Sequence, residues 1–334
     1  MDFYKDKKIL IIGGTGAIGQ RLAEKLLKME PSVIRILSRD EFKQYMMEQK
    51  FQKYIKKMRF LIGDVRDYER IERASKDIDI VFHLAAMKHV PACEYNPFEA
   101  VQTNVIGMQN VIKAASKNGV SKVIFSSSDK SISPTNAMGA TKLLAERLIQ
   151  AADYSQGAGT VYSAVRFGNV MGTRGSVIPL FKKQILEDKE ITVTDPTMSR
   201  FMMSVDHAVE LVLKTGIEAK GGEIRVFKMP VIRLKDLYEV MIESLAKTYN
   251  FEIDDIQIKI NGLRAGEKMY EELMTIEEAR YAYDAGGYFI IPSIFSKDKK
   301  WDYNKAKISS YSSHEEEPIS KEEVKEILEN QKLL

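Results

Sequence analysis

The sequence predicts a doubly wound α/β fold: a parallel sheet with helices on both faces, followed by a smaller C-terminal lid. Three observations carry this expectation. A short apolar run at residues 9–12 ends directly on a glycine-rich turn. Short apolar runs then alternate with helical periodicity through the first half of the chain, the pattern of right-handed βαβ crossovers. Beyond Arg174 the pattern loosens into turn-rich, mixed segments at 195–200 and 261–267.

The elements follow in chain order. Residues 9–12 (ILII) read as a buried strand, and 20–29 as a helix with Leu22, Leu26 and Leu27 on one face. Strands are expected at 33–37, 60–62, 80–84 and 123–126, with helices at 101–116 and 142–152. Residues 223–227 return to the main sheet. These boundaries give a Rossmann-like dinucleotide domain at 1–173, rejoined by 205–228, and a substrate lid at 174–204 and 229–308. The stretch SSYSSHEEEP (309–318) reads as a linker before a short C-terminal helix. There Ser320 and Glu323 have capping-box spacing, Ile319 and Val324 form a hydrophobic staple, and Val324, Ile327 and Leu328 share one apolar face. That helix should pack on its own domain.

Composition excludes several classes of function. The chain has 334 residues, 44% hydrophobic and 29% charged, which suits a globular protein of about two domains at roughly 150 residues each. Fifty basic against 47 acidic residues leave a charge of +3, too slight to argue for nucleic acid. The basic run at 53–59 is a solvated face. Cys93 is the single cysteine, so no internal disulfide framework or multi-cysteine metal site exists, and no metal is expected. No apolar stretch approaches the length of about 20 residues that spans a bilayer, and no signal peptide is expected in the charged N-terminal stretch. A cytoplasmic location is expected.

Gly13-Gly14-Thr15-Gly16-Ala17-Ile18-Gly19 lies between the first strand and first helix, satisfying G-x-G-x-x-G spacing at 14, 16 and 19. Glycines there let backbone N–H groups approach a pyrophosphate at the positive end of the helix. The cofactor's 2′ group should be met at the end of the second strand, where the sequence reads Ser38-Arg39-Asp40-Glu41-Phe42-Lys43. A small serine followed by Arg39, with Lys43 one turn on, suits a 2′-phosphate, while Asp40 argues for a free ribose hydroxyl. The reading favours NADP, with NAD as the alternative. Asp64 and Val65 follow the third strand and are placed to meet the adenine.

Further motifs lie beyond strand ends, where such sheets bind ligands: AAMKHVPACEYNP (85–97), TNVIG (103–107), SSDK (127–130), MGATK (138–142), RFGNVMGTRGSVIP (166–179) and GLRAGEK (262–268). Together with GGTGAIG, SRDEFKQ (38–44) and GDVRD (63–67), they resemble the extended short-chain dehydrogenase/reductases. Within these, the chain resembles the UDP-N-acetylglucosamine 4,6-dehydratases of surface-polysaccharide synthesis. The likeness extends to about Tyr288. It implies cofactor contacts from Leu84, Ala85, Ala86, Lys88 and Asn104 besides the glycine loop, and a homo-oligomer.

The superfamily pattern is Tyr-x-x-x-Lys, but Met138 occupies the tyrosine position. A thioether can neither take nor give a proton. The resemblance is to the Met-containing, configuration-retaining dehydratases, although those carry a membrane segment; their shorter Tyr-containing relatives invert carbon 5. The implied reaction oxidises carbon 4 of the sugar, eliminates water across carbons 5 and 6, and returns hydride to carbon 6, with the cofactor recycled. Lys130 would be the base at carbon 5, which needs a lowered pKa; Asp129 would be the acid for the carbon 6 hydroxyl, which needs a raised one. Lys142 would hold the nicotinamide ribose, Ser127 or Ser128 would hydrogen-bond the carbon 4 hydroxyl, and Met138 would be a spacer. The resemblance further implies sugar contacts from Lys88, His89 (without a proton role) and Asn169. It implies uridine-side contacts from Arg174, Ser176, Val177 and Pro179 and a substrate contact from Glu267, while Arg200, Arg264 and Lys268 are the cations available to the diphosphate. An epimerase on the same scaffold and a catalytically silent NADP-binding regulator are the rival readings.

Overall fold

A computed structural model describes residues 2–155, 159–173, 175–263, 266–295 and 299–334. Its centre is a ten-stranded sheet, counted over those residues. The first six strands are β1 (Lys8–Ile12), β2 (Val33–Ser38), β3 (Met58–Ile62), β4 (Ile80–His83), β5 (Lys122–Ser126) and β6 (Val161–Arg166). They lie in the order 3-2-1-4-5-6 and pair in parallel, with Ile9 beside Ile34 on one side and Ile80 on the other. Strand order reverses between β1 and β4, which opens the ligand crevice beyond their carboxyl ends. The run 9–12 is fully buried, as a strand covered on both faces must be.

Ile224–Phe227 joins β6 in parallel, as the sequence reading expected. Beyond it the sheet continues where a lid was expected: Tyr288–Ile291 pairs antiparallel with Ile224–Phe227, and Tyr283–Asp284 and Asn304–Lys305 complete the edge. The lid itself has a second core around Phe181, Ile185, Leu237, Met241 and Leu245. Its short strands include Asn169–Val170, Ser199–Met203 and Val231–Arg233.

Two expectations are corrected. The helix expected at 101–116 is broken: Pro97–Val101 is α-helical, Gln102–Ile106 forms a π turn, and Gly107–Lys117 resumes the α-helix. Such π turns cluster at functional sites, and this one carries Asn104. The 309–318 linker is not a linker. Tyr311–Ser312 pairs with Glu272–Met274, and the Tyr311 hydroxyl accepts from Met229 N at 2.8 Å. Tyr311, Ser312 and Ser313 are all buried. The C-terminal helix Lys321–Asn330 starts in the predicted capping box and buries Val324 and Leu328 in the lid core. Among the described residues, no helix is long and apolar enough to cross a membrane.

Candidate active site

The glycine loop enters helix α1 (Ala17–Leu27), whose N-cap, Gly16, makes no side-chain cap bond. Gly13 has φ +82°, and a Cβ there would stand 2.7 Å from Ala85 N; one at Gly19 would meet the Gly14 backbone at 2.6 Å. These two glycines are fixed by close packing of the loop itself. At Gly16 the nearest protein atom would be 3.4 Å away, so the room there is not needed by the protein. An uncapped helix start with an open glycine fits a pyrophosphate. Thr15 is buried, with its carbonyl accepting from Gln20 Nε2, while Ala17 and Ile18 begin α1.

At the end of β2, Asp40 is the N-cap of helix Glu41–Lys50: its Oδ1 accepts from Lys43 N at 2.9 Å and its Oδ2 pairs with Lys43 Nζ at 2.6 Å. Ser38 is buried and its hydroxyl accepts from Gln44. Arg39 is 62% exposed and lies 3.7 Å from Asp64. Burial pushes the Asp64 carboxyl up, but Arg66 hydrogen bonds and charge pull it further down, so it is ionised. Val65 packs against Gly107, and its carbonyl accepts from Asn110. Residues Leu84, Ala85 and Ala86 form the half-buried strand exit. Asn104 braces that loop, accepting from Met87 N at 2.8 Å and donating to Met87 O at 3.1 Å and Thr141 Oγ1 at 2.9 Å.

At the end of β5, Ser128 caps a short 3₁₀ turn, Asp129–Ser131. Lys130 Nζ lies 3.0 Å from Asp129 Oδ2 and 3.0 Å from Glu271 Oε1. Glu271 also accepts from Asn169 Nδ2 at 2.9 Å and lies 3.4 Å from Arg200 Nε. This cluster, with Asp129 and Glu271 buried and Lys130 half-buried, lines a cavity of about 350 Å³ between sheet and lid. Burial opposes the charge on each member, and the outcome differs from the sequence expectation. Desolvation lowers Lys130, but the two carboxylates outweigh it and raise its pKa, so it is an ammonium. Desolvation raises Asp129, but Lys130 and the Ser128 hydroxyl bring it down to about 2. Glu271, pushed up to about 7 by burial and the Asp129 charge, is the group that titrates near neutrality. The lowered lysine and raised aspartate are thus both reversed in this resting state. No motif pointed to Glu271, because its partners lie far off in sequence.

In contrast to Lys130, Lys142 is lowered by burial, to about 8, with Glu146 partly opposing. Its Nζ donates to Ser126 O at 2.8 Å and lies over the Phe125 ring. Among the described residues, the buried Ser127 hydroxyl has no hydrogen-bond partner, nor has that of Ser176. Met138 is buried with Cys93 and Ala100. Next to it, a Cβ at Gly139 would stand 2.1 Å from Lys130 O.

The cavity brings together Asn169, Ser176, Val177, Arg200, Glu267 and Lys268. Lys88, His89 and Pro179 are exposed and do not line it; Val90 and Pro91 do. The His89 ring instead stands 2.6 Å from the Cβ position of Gly175. Arg200 is spent largely on lid carbonyls, donating to Lys268 O and Met269 O. Arg174 and Arg264 lie outside the described residues.

Residues 9–293 match the family described as "Polysaccharide biosynthesis protein". The X-ray structure of Pen from Bacillus thuringiensis superposes with a TM-score of 0.95 at 52% identity, covering 99% of each chain. The UDP-N-acetylglucosamine 4,6-dehydratase (inverting) of Campylobacter jejuni is 43% identical over 305 residues, 90% of this chain and 87% of that one. The UDP-glucose 4-epimerase of Rickettsia felis is 41% identical over 339 residues, 98% and 96% respectively.

Proposed function

The chain belongs to the polysaccharide biosynthesis protein family of extended short-chain dehydrogenase/reductases, within the nucleotide-sugar dehydratases and epimerases, and from that premise we propose that it is a configuration-retaining 4,6-dehydratase of UDP-N-acetylglucosamine. The observation that carries this reading is the Asp129–Lys130–Glu271 cluster facing the cavity, its two carboxyl groups buried. A 4-epimerase needs proton handling at carbon 4 alone. Elimination across carbons 5 and 6 needs an acid and a base besides, and the cluster supplies ionisable groups for both.

NADP is the cofactor this reading takes, because Asp40 is engaged in its own helix cap and Arg39 stays mostly exposed beside it. The glycine loop, Arg39, Asp64, Val65, the 84–88 exit and Lys142 would hold it. When bound, it supplies the acceptor and donor of hydride. Lys142, buried and cationic, holds the ribose and keeps the site positive. The Ser127 hydroxyl, without a partner among the described residues, takes the hydrogen bond of the carbon 4 hydroxyl, a contact that Met138 cannot make; the proton released there on oxidation returns over the cycle to the cluster, replacing the one that Asp129 gives to the leaving water.

For the elimination, Lys130 removes the carbon 5 proton and Asp129 protonates the departing carbon 6 hydroxyl, which leaves as water. The proton count permits this. Below the Glu271 titration, the cluster carries one proton on Glu271 and one dissociable proton on the Lys130 ammonium. A neutral Lys130 amine beside two protonated carboxyls holds the same number. Closure over the cluster favours that uncharged arrangement, since exclusion of water penalises every ion in it. Glu271, 3.0 Å from Lys130 Nζ and bonded to Asp129, is the relay between them.

Retention at carbon 5 rests on Met138 and its resemblance to the retaining enzymes. The inverting reading has its own support in the Campylobacter relative. Proton NMR of UDP-N-acetylglucosamine with the purified, NADP-loaded protein in deuterated water tests both. A new deoxy-methyl signal, deuterium at carbon 5 and no net cofactor reduction are expected, and the ring coupling constants report the configuration. An unchanged spectrum sinks the substrate assignment and favours the silent regulator.

A further inference from the structure

Arg166, at the carboxyl end of β6, is fully buried, and all five of its N–H groups are used. Nε and Nη2 donate to the two oxygens of Glu146 at 3.1 and 2.7 Å, and Nη1 and Nη2 to those of Glu278 at 3.0 and 3.1 Å. The fifth bond runs from Nη1 to Leu273 O at 2.9 Å, two residues beyond Glu271. Glu146 carries the network onward: its Oε1 accepts from Ser131 Oγ at 2.9 Å, and the same hydroxyl is 2.6 Å from Ser128 O. One guanidinium therefore reaches both the Asp129–Ser131 turn and the Glu271 strand.

Burying three charges is a poor way to gain stability, because desolvation cancels most of the attraction. Fixing geometry is a better use for a planar five-donor fork. We infer that Arg166 is a positioning residue for the reaction: through Glu146 and Ser131 on one side, and Leu273 O on the other, it sets the separation of the Asp129–Lys130 turn from Glu271. The inference rests on that cluster being the acid–base centre. Glu146 also lies one helical turn beyond Lys142, so the same network bears on the ribose-holding lysine.

Ser131→Ala removes the link from the turn to Glu146 together with the hydroxyl's bond to Ser128 O, whereas Arg166→Lys leaves that hydroxyl in place and keeps the charge while losing the fork. Each is compared with the wild type in two assays. The first is turnover of UDP-N-acetylglucosamine by NADP-loaded protein. The second is substrate-free infrared titration of the carboxyl band near pH 7, assigned to Glu271 by its loss in Glu271→Gln. The groups facing Glu271 are Asp129 and Lys130 from the turn, Asn169 and Arg200 from the lid. Ser131→Ala is expected to lower kcat about 10- to 100-fold, as a misplaced group does, with KM little changed. It should also move the carboxyl titration by about half a pH unit or more. Arg166→Lys should act in the same direction, with folding checked by circular dichroism. A Ser131→Ala protein whose titration and kcat both match the wild type overturns the inference, as does a wild type with no carboxyl titration near neutrality. A wild type that leaves the sugar unchanged, yet whose titration moves in Ser131→Ala, keeps the positioning role and sinks the proposed reaction instead.

Discussion

Gly139→Ala isolates the contact that fixes Lys130. A methyl group at this position would begin 2.1 Å from Lys130 O, 3.0 Å from Pro134 Cβ and 3.1 Å from Lys130 C. Ordinary contact begins near 3.4 Å, so the carbonyl must retreat by about 1.3 Å, taking the Lys130 backbone with it. Overpacking of this kind costs about 1–3 kcal/mol. Alanine recovers up to about 1 kcal/mol of helix propensity in Ala137–Ser155. The net loss of stability is therefore small, but the site suffers more. A shift of that size at a reacting group lowers kcat about 100-fold, equivalent to about 2.7 kcal/mol in the barrier. The assay pairs NMR turnover of the sugar nucleotide with a urea melt and an NADP-binding isotherm on the same preparation. A folded, NADP-binding Gly139→Ala protein with turnover within threefold of the wild type would refute the claim that this helix sets Lys130.

Three further outcomes are expected. The Glu271 carboxyl binds its proton more tightly folded than unfolded, so its contribution to stability is complete below about pH 4.5 and is lost as pH rises through about 7. Unfolding free energies from urea melts between pH 5 and 8 should fall with a slope of up to about 1.4 kcal/mol per pH unit, and Glu271→Gln should flatten that part of the profile. Tyr311→Phe keeps the ring contacts with Phe201 and Phe289 but leaves Met229 N unpaired, a loss of about 1–3 kcal/mol by urea denaturation. Arg39→Ala should weaken NADP about tenfold or more by calorimetry while leaving NAD nearly unchanged; equal losses for both would remove Arg39 from the 2′ site.

The parts of this fold that were legible are those whose partners are local or generic. The runs in β1, β4 and β5 are apolar because they are buried on both faces, and any apolar neighbour will serve. The Ser320–Glu323 capping box was readable because both halves lie within one turn. Strand β6 was not: Tyr162, Ser163 and Arg166 interrupt its apolar run, and each is buried against one particular partner, Ile112 O, Glu223 O and the Glu146–Glu278 pair. The 309–318 stretch misled for the same reason. Its serines look solvated until Ser199, Glu271 and Glu315 are brought to meet them. At the site, Asp129 and Lys130 are adjacent in a motif, but their charges are decided by Glu271, a residue with no signature of its own.

The strand bearing Glu271 ties the cluster to the end of the chain. Glu271 N donates to Ser313 Oγ, and Ser313 N returns a bond to Glu271 O. Glu271 is held by a residue 42 positions further along the chain. A chain stopped short of Ser313 would keep Asp129 and Lys130 in their turn but lose the brace on the strand that carries Glu271, so the third member of the cluster is set only by a late stretch of sequence.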